Sequence, residues 1–427
     1  MMKELEKGGH MDKVVVISVD AMIGEDLKVL RTEPCLRELF GKSAVVSSVM
    51  PVFPSLTFPC HVSMLTGCHP MRHGVINNEE FSVGGKDVPW IWFTSQHREP
   101  TLFHFAREAG LSTASIGWPS TSGCPDVDYL VTGIYARGER DKLDSPCVQD
   151  ICNRNHHLLE GLRTDNVDEF VELTTREIIQ RYQPDLTLCY LALIDSQRHK
   201  LGYETEKHVS SLQCIARRIA GIVEATKEAG VYDETTFFIT SDHGQINNRY
   251  TFSINEVLRQ KGYIELDEDG NITDWRIYAH SSAFTAEIYT RNITDSEARK
   301  VLEEIGREYP ECVDRILTRY ETRMIYHTDG DYTFMIEGIE GVSFGSRVPA
   351  DVFQEPGKGD FRTALATHGH SPERGPKPVF MVLGKRARDG IVLEDASLVD
   401  EAPTVLKVFG IDMPGVDGHS LDSLLEV

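Results

Sequence analysis

The sequence predicts an α/β protein: a central sheet flanked by helices, with a smaller inserted lobe. Three observations carry that expectation. Lys13-Val14-Val15-Val16-Ile17-Ser18-Val19-Asp20 is a β-branched apolar run ending in a carboxylate, the pattern of a strand covered on both faces. Strand-like and helix-like segments then alternate, with Asp or His at strand ends. Beyond His243 that alternation gives way to short amphipathic pieces, and a core-like strand returns only at 377–383.

In chain order, residues 44–50 read as a second strand, 102–109 as a helix closed by Gly110, and 112–116 as a further strand. Helical spacing over 166–181 stops near Pro184. Residues 186–194 form a largely apolar strand ending in Asp195, and a helix over 206–229 leads to the strand 235–240 and Ser241-Asp242-His243-Gly244. Within the altered region, strand-like stretches at 284–289 and 332–336 flank a helix-like one at 297–308. A helix at 402–409 closes the core. The chain therefore divides into a catalytic core, first part, at 11–249, a smaller inserted or cap region at 250–356, and the last part of the core at 357–427. Residues before Met11, including Gly8-Gly9-His10, read as an unstructured start.

Acidic residues outnumber basic ones by 66 to 44, a formal charge of -22 over 427 residues. That balance argues against binding duplex nucleic acid, which needs clustered Lys and Arg, and against an anionic membrane surface. A small anionic substrate stays compatible where bound metals set the local charge. There is no run of about 18 apolar residues and no secretion-signal pattern. The nine Cys are scattered, with no CxxC pair, and Cys147 and Cys152 lack partners for a four-ligand zinc site. Free thiols fit a reducing, cytoplasmic setting.

The residues that carry chemistry are Asp20, Thr57, Asp195 with His199, Asp242 with His243, and His368. All but Thr57 are ordinary metal ligands, and most follow inferred strands. Two ions need about this many protein ligands when water and substrate complete each shell. Carboxylate with imidazole suits zinc, with manganese as the other choice, better than calcium. Taken singly each residue has a plainer reading: Asp after a strand often caps a helix or turn. Asp195 and His199 share a face if helical, but Gly202 is equally compatible with a loop.

The segment Pro51-Val-Phe-Pro-Ser-Leu-Thr57-Phe-Pro-Cys-His61-Val-Ser-Met-Leu-Thr66-Gly67, with Pro70-Met-Arg-His73-Gly74-Val-Ile-Asn-Asn78 behind it, resembles the nucleophile region of the nucleotide pyrophosphatase/phosphodiesterase family, within the alkaline phosphatase superfamily. Asp20, the Asp195-to-His199 spacing, Ser241-Asp242-His243-Gly244, Thr367-His368-Gly369 and Asp417-Gly418 follow in the family's order. The resemblance implies an alkaline-phosphatase-like mixed sheet, Thr57 as nucleophile and Asn78 as a donor to a phosphoryl oxygen. It implies one ion on Asp195, His199 and His368, and another on Asp20, Thr57, Asp242 and His243. The expected reaction is two-metal hydrolysis of a small anionic phosphate ester, a phosphodiester or nucleotide pyrophosphate, through a phosphothreonine. Alternatives are a phosphonoacetate hydrolase-like or phosphomonoesterase activity, and a non-catalytic metal-binding protein. A sulfatase needs a Cys or Ser nucleophile followed by Pro and Arg at set spacing, which Thr57-Phe58-Pro59-Cys60 lacks.

The chain departs from the family pattern at Ile194 and Arg198, where proline and glycine are usual, and at His370, where the diesterases usually carry an aromatic residue. Arg198, His280 and His370 are candidates for substrate contacts; the alternatives are that Arg198 leaves the cleft to pair with a carboxylate and that the two histidines serve ordinary hydrogen bonds. His61 and His73 read as packing and capping the nucleophile loop, and His156-His157 as surface polarity. Phe53, Phe58, Trp92, Tyr203 and Tyr250 are available as platforms for a base.

Overall fold

A computed structural model describes residues 12–84, 89–134 and 140–426. The unstructured start expected before Met11 lies outside the described residues. The central sheet has eight strands: β1 (Lys13–Val19), β2 (Ser43–Val46), β3 (Thr113–Ile116), β4 (Tyr129–Val131), β5 (Leu186–Leu191), β6 (Thr235–Thr240), β7 (Phe380–Gly384) and β8 (Val392–Leu393). Their spatial order is β8-β2-β7-β6-β1-β5-β3-β4. Strand β7 runs antiparallel to β2 and β6, while every other pair in the sheet is parallel.

Strand β1 is apolar on both faces because both are covered. Val15, Ile17 and Val19 enter one apolar cluster with Phe170, Ile178 and Ile179 of helix Thr164–Tyr182 and Leu212, Ile215 and Ile219 of helix Val209–Glu228. Val14 and Val16 point the other way, against Cys60, Met64 and Leu65 of helix Thr57–Thr66 and Ala402, Val405 and Leu406 of helix Glu401–Lys407. This is the period-two alternation of a strand sandwiched between helical layers.

Between β6 and β7 the chain builds a separate four-stranded antiparallel sheet, in the order Ile277–Ser281, Thr285–Thr290, Phe334–Gly338, Val313–Thr318. It has its own apolar cluster, with Ile277, Ile288, Phe334 and Ile336 against Leu302 and Ile305. The latter two belong to helix Asp295–Glu308, whose start is fixed by a capping box between Thr294 and Glu297.

Two segments differ from the sequence expectation. The strand expected to reach Ile194 stops at Leu191. The Asp168 carboxylate accepts from Ala192 N at 2.8 Å and Leu193 N at 3.0 Å, and the chain turns there into helix Leu193–Leu201. The expected strand 44–50 breaks at Ser47-Ser48: its first half joins the main sheet and Val49–Met50 pairs instead with Ala396–Ser397. All nine cysteines are free thiols. Among the described residues no helix is long and apolar enough to cross a membrane.

Ile17 is fully buried in the central strand, whereas Val392 on the edge strand is 64% exposed. Ile17→Ala is expected to lower unfolding free energy by about 2–5 kcal/mol, and Val392→Ala by no more than about 0.5 kcal/mol. Urea denaturation of the two variants at equal protein concentration measures the difference.

Candidate active site

Pairing of Val19 with Leu191 and of Ser18 with Thr240 brings the C-terminal ends of β1, β5 and β6 to one edge, where ligands of α/β sheets collect. Asp20 leaves β1 there, Asp242 and His243 leave β6, and Asp195 sits in the first turn of helix Leu193–Leu201. The helix settles the alternative left open by Gly202, which follows its last residue with φ of +96°. Reversed strand β7 starts at the same edge, with Phe380 beside Thr240. The segment entering β7 therefore crosses the strand ends and carries His368, held by the pairing of Ala366–Thr367 with Ile246–Asn247.

Asp195 Oδ2 lies 3.2 Å from His199 Nε2, and Asp195 Oδ1 lies 3.8 Å from His368 Nε2. On the other side, His243 Nε2 lies 3.6 Å from Asp20 Oδ1, 3.1 Å from Asp242 Oδ2 and 3.2 Å from Thr57 Oγ1. Two sets of ligand atoms fall close enough to share an ion: Asp195, His199 and His368, and Asp20, Asp195 and His243. Asp195 belongs to both.

The surrounding hydrogen bonds aim these groups. His199 Nδ1–H donates to the Ala366 carbonyl at 2.7 Å, which fixes the ring with Nε2 facing Asp195. Asp242 Oδ1 accepts from Ala21 N and His243 N at 3.1 and 3.0 Å, which turns Oδ2 toward His243 Nε2. Tyr190 donates to Asp20 Oδ2, and Gln245 Nε2 donates to Asp195 Oδ1 at 2.5 Å. Asp20 Oδ1 and Asp242 Oδ2 are buried acceptors without a hydrogen-bond donor.

Those two oxygens make a cation the missing partner. Burial pushes Asp20 well above the usual carboxylate range, helped by the charges of Asp242 and Asp195. Burial lifts Asp242 to about 7 against backbone donation from Ala21, with Asp195 adding to the rise. Burial also works against charge on Asp195, but His199 and His368 outweigh it and hold its carboxyl low. His243 and His368 are driven well below their ordinary range by burial and by neighbouring imidazoles, so both are neutral ligand donors. Clustered buried oxygens with neutral imidazoles match the donor preferences of zinc or manganese.

Thr57 is the first residue of helix Thr57–Thr66, so its hydroxyl sits at the positive end of the helix. His61, one turn on, places Nδ1 2.8 Å from the Thr57 carbonyl and Nε2 2.9 Å from Ser18 Oγ, tying the helix to β1. His73 binds Ser63 Oγ through Nε2 at 2.9 Å and accepts from Val75 N at 3.2 Å. Asn78 Oδ1 accepts from Phe58 N at 2.9 Å. That bond assigns the amide, because only the oxygen can accept, and leaves the Nδ2 donor for the cleft.

The cleft over these groups has a volume of about 490 Å³. Thr57, Asn78, Asp20, Asp195, His199 and His368 line it together with Phe58, Trp90, Trp92 and Phe361. Trp90 stacks on Trp92 at 5.8 Å, Phe58 meets both edge-on, and Phe361 stacks on the His368 ring at 5.6 Å. Among the described lining residues, Lys200 is the one Lys or Arg side chain.

Three substrate candidates require correction. Arg198 is fully buried and faces away from the cleft, with Nη2 2.9 Å from both oxygens of Asp26; its position on the helix points the stem inward. His280 lines a different cavity, with Arg98 and Asp331, and its Nδ1 lies 3.7 Å from Glu287 Oε2. His370 is buried against Ser55, 3.2 Å from its hydroxyl, outside the cleft lining. Of the proposed platforms, Phe58 and Trp92 line the cleft, while Phe53, Tyr203 and Tyr250 do not. Of the pair expected at the surface, His157 is exposed, whereas His156 is half-buried with Nδ1 3.2 Å from Arg140 Nη1. The sequence reading missed Tyr190, Gln245, Trp90 and Phe361. A phenol near the C-terminal end of the apolar strand 186–191 was a signal for Tyr190, and the position after Asp242-His243-Gly244 was one for Gln245; nothing in sequence separates Trp90 and Phe361 from core aromatics.

The profile of the family described as type I phosphodiesterase/nucleotide pyrophosphatase matches residues 14–336. Ectonucleotide pyrophosphatase/phosphodiesterase family member 3 of Bos taurus is 22% identical over 249 residues, covering 56% of this chain and 25% of that protein. Ectonucleotide pyrophosphatase/phosphodiesterase 1 of Saccharomyces cerevisiae is 27% identical over 266 residues, covering 54% and 33%. The chain thus spans a quarter to a third of the length of these curated relatives. Murine ectonucleotide pyrophosphatase/phosphodiesterase 5, solved as an inactive form in complex with AMP, superimposes with a TM-score of 0.69 over 97% of this chain and 100% of that one, at 16% identity. The shared fold is the alkaline-phosphatase-like mixed sheet flanked by helices.

Stripped of divalent cations, the folded protein keeps a proton on Asp242 up to about pH 7, whereas the unfolded chain releases it near 3.8. Folded protein binds more protons within that window, so this group's contribution to stability falls as pH rises through it. Asp242→Asn is expected to lose that component and to be more stable than the wild type near pH 8 without cations. Urea unfolding in chelator at about pH 4.5 and 8 checks it; parallel curves for the two proteins would contradict the assignment.

Proposed function

We propose, since the chain belongs to the type I phosphodiesterase/nucleotide pyrophosphatase family, that it is a metal-dependent hydrolase of small phosphate esters, acting on a nucleotide-type phosphodiester or pyrophosphate through Thr57. The observation that carries this reading is the convergence of Thr57 Oγ1, 3.2 Å from His243 Nε2, and the oriented Asn78 amide in one cleft beside two sets of ligand atoms.

The residues of this chain divide the work. Asp195, His199 and His368 would hold one ion, and Asp20, Asp242, His243 and Thr57 another, zinc or manganese by donor type. Such ions supply positive charge to the attacking and departing oxygens of an in-line displacement. Thr57 Oγ1 attacks phosphorus, its proton passing to solvent, and the P–O bond to the leaving group breaks to yield a phosphothreonine and a departing oxygen, which takes a proton from solvent where the leaving group is an alcohol. Water then cleaves the phosphothreonine and restores the hydroxyl. Asn78 Nδ2 donates to a non-bridging oxygen as its charge grows. Asp242 and Asp20, buried and turned toward His243, present carboxylate oxygens beside the hydroxyl.

The cleft walls support an esterified, base-bearing phosphate over a monoester or phosphonoacetate. A dianionic monoester calls for several cationic donors, and Lys200 alone provides one among the described lining residues. Phe58, Trp90, Trp92 and Phe361 instead offer flat apolar surface to a base.

Thr57→Ala is expected to retain two ions per chain while turnover of a nitrophenyl nucleotide diester falls at least about 10³-fold. Metal analysis paired with steady-state rates tests this, and wild-type turnover in a contaminant-free variant would remove Thr57 as nucleophile. Phe361→Ala should raise KM for the nucleotide diester about tenfold, given about 1–3 kcal/mol per stacked base, and leave a small nitrophenyl methyl phosphate unaffected.

A further inference from the structure

We propose that Arg198 is a positioning residue for the metal centre: its guanidinium fixes the backbone corner at Ala21 that sets Asp20 and Asp242 against each other. The inference rests on the two-metal reading above and extends it to a residue outside the cleft.

Arg198 lies on the helix that carries Asp195 and His199, one residue before the latter. Its side chain crosses beneath the site to the end of β1. There Nη1 donates to the Ala21 carbonyl, and Nη2 contacts Asp26 Oδ1 and Oδ2 at 2.9 Å each. Asp26 is itself held by Ile23 N at 2.9 Å and Thr205 Oγ1 at 2.8 Å. Both charged side chains are fully buried.

Burying an isolated charge pair costs several kcal/mol per ion before attraction and hydrogen bonds offset it, and apolar replacements are often as stable. Stability alone gives no reason for a full pair at this place. The backbone it grips does. Ala21 has φ of +58°, in the left-handed region, which disfavours a residue with a Cβ. Its N–H donates to Asp242 Oδ1 and its carbonyl accepts from Arg198, so the peptide groups on both sides of the strained residue are pinned. Asp20 immediately precedes that corner. Release of the carbonyl lets Ala21 relax, swings its N–H away from Asp242 and re-aims the Asp20 carboxylate, 3.6 Å from His243 Nε2. A guanidinium suits the task because its forked donors serve Asp26 and Ala21 in two directions at once; an ammonium is a single point.

The two ligand sets should respond unequally. His199 and His368 make no hydrogen bond to the Ala21 corner, whereas Asp20 directly precedes it and Asp242 accepts from its N–H. Full-chain Arg198→Lys, Arg198→Met and the double variant Asp26→Leu/Arg198→Met, stripped of metal, would be titrated with zinc by calorimetry and followed by thermal unfolding and steady-state kinetics. The double variant removes both buried charges together, so it should unfold closer to the wild-type temperature than Arg198→Met, which leaves the Asp26 carboxylate buried without its cation. In it and in Arg198→Met one of the two binding events should lose about 10–100-fold in affinity while the other stays within about threefold. Arg198→Lys should lose severalfold, and the losses should appear in kcat rather than KM. Wild-type affinity for both ions in any folded member of the set overturns the inference. A wild type that binds fewer than two ions overturns the two-metal reading instead.

Discussion

Pairing β1 with β5 on one side and β6 on the other ends three parallel strands at one edge, and each delivers an acid to the same small volume. Asp20 follows β1 directly, Asp242 follows β6 by two residues, and Asp195 follows β5 after the turn held by Asp168. The sheet thus sets the spacing before any side chain chooses a rotamer. Only the reversed strand β7 complicates the pattern, and its reversal has a use. A strand that starts where its neighbours finish must be entered from above the site, which is how His368 reaches ligands from three distant parts of the chain.

Crowding acids in this way works against the fold in the absence of cations. Burial and mutual repulsion raise Asp20 and Asp242 together, while only Asp195 gains imidazole partners strong enough to keep it ionised. The asymmetry follows position. Asp195 is 17% exposed at the cleft mouth beside His199, whereas Asp242 and His243 are sealed beneath it. A centre of this kind stores an electrostatic penalty in the folded protein that bound divalent charge can relieve, so metal affinity and folding stability are linked through the same carboxylates.

Much of this was legible in the sequence because strand-end acids and the unbroken apolar run of β1 leave strong local patterns. The segment 186–194 was harder. Leu193 and Ile194 prolong an apolar stretch that reads as strand, and the turn into helix depends on Asp168, a residue over twenty positions earlier whose carboxylate captures two backbone N–H groups. Arg198 was misplaced for a related reason: a charged residue flanked by metal ligands suggests substrate contact, and only the helix phase turns it inward onto Asp26. Trp90 and Phe361 carried no signal because an aromatic in a loop has the same local pattern in a cleft as in a core.

The segment 357–368, which leads toward β7, supplies the second wall of the cleft, and one side chain joins it to the first. Arg362, nearly buried, pairs with Glu79 next to Asn78 and with Asp360 at 3.0 Å, donates to Ser281 O at 3.1 Å, and lies over the Phe361 ring at 4.5 Å. Glu79 follows Asn78 in its loop, Ser281 belongs to the inserted sheet, and Phe361 to the aromatic wall over His368. The Arg362–Glu79 pair is largely buried on both sides and resists separation, because parting it leaves desolvated charge unmatched. The wall that would receive a base and the amide that would receive a phosphoryl oxygen are therefore held at a fixed offset by the same cation, and selection among phosphate esters becomes a matter of whether both ends of the substrate fit that offset at once.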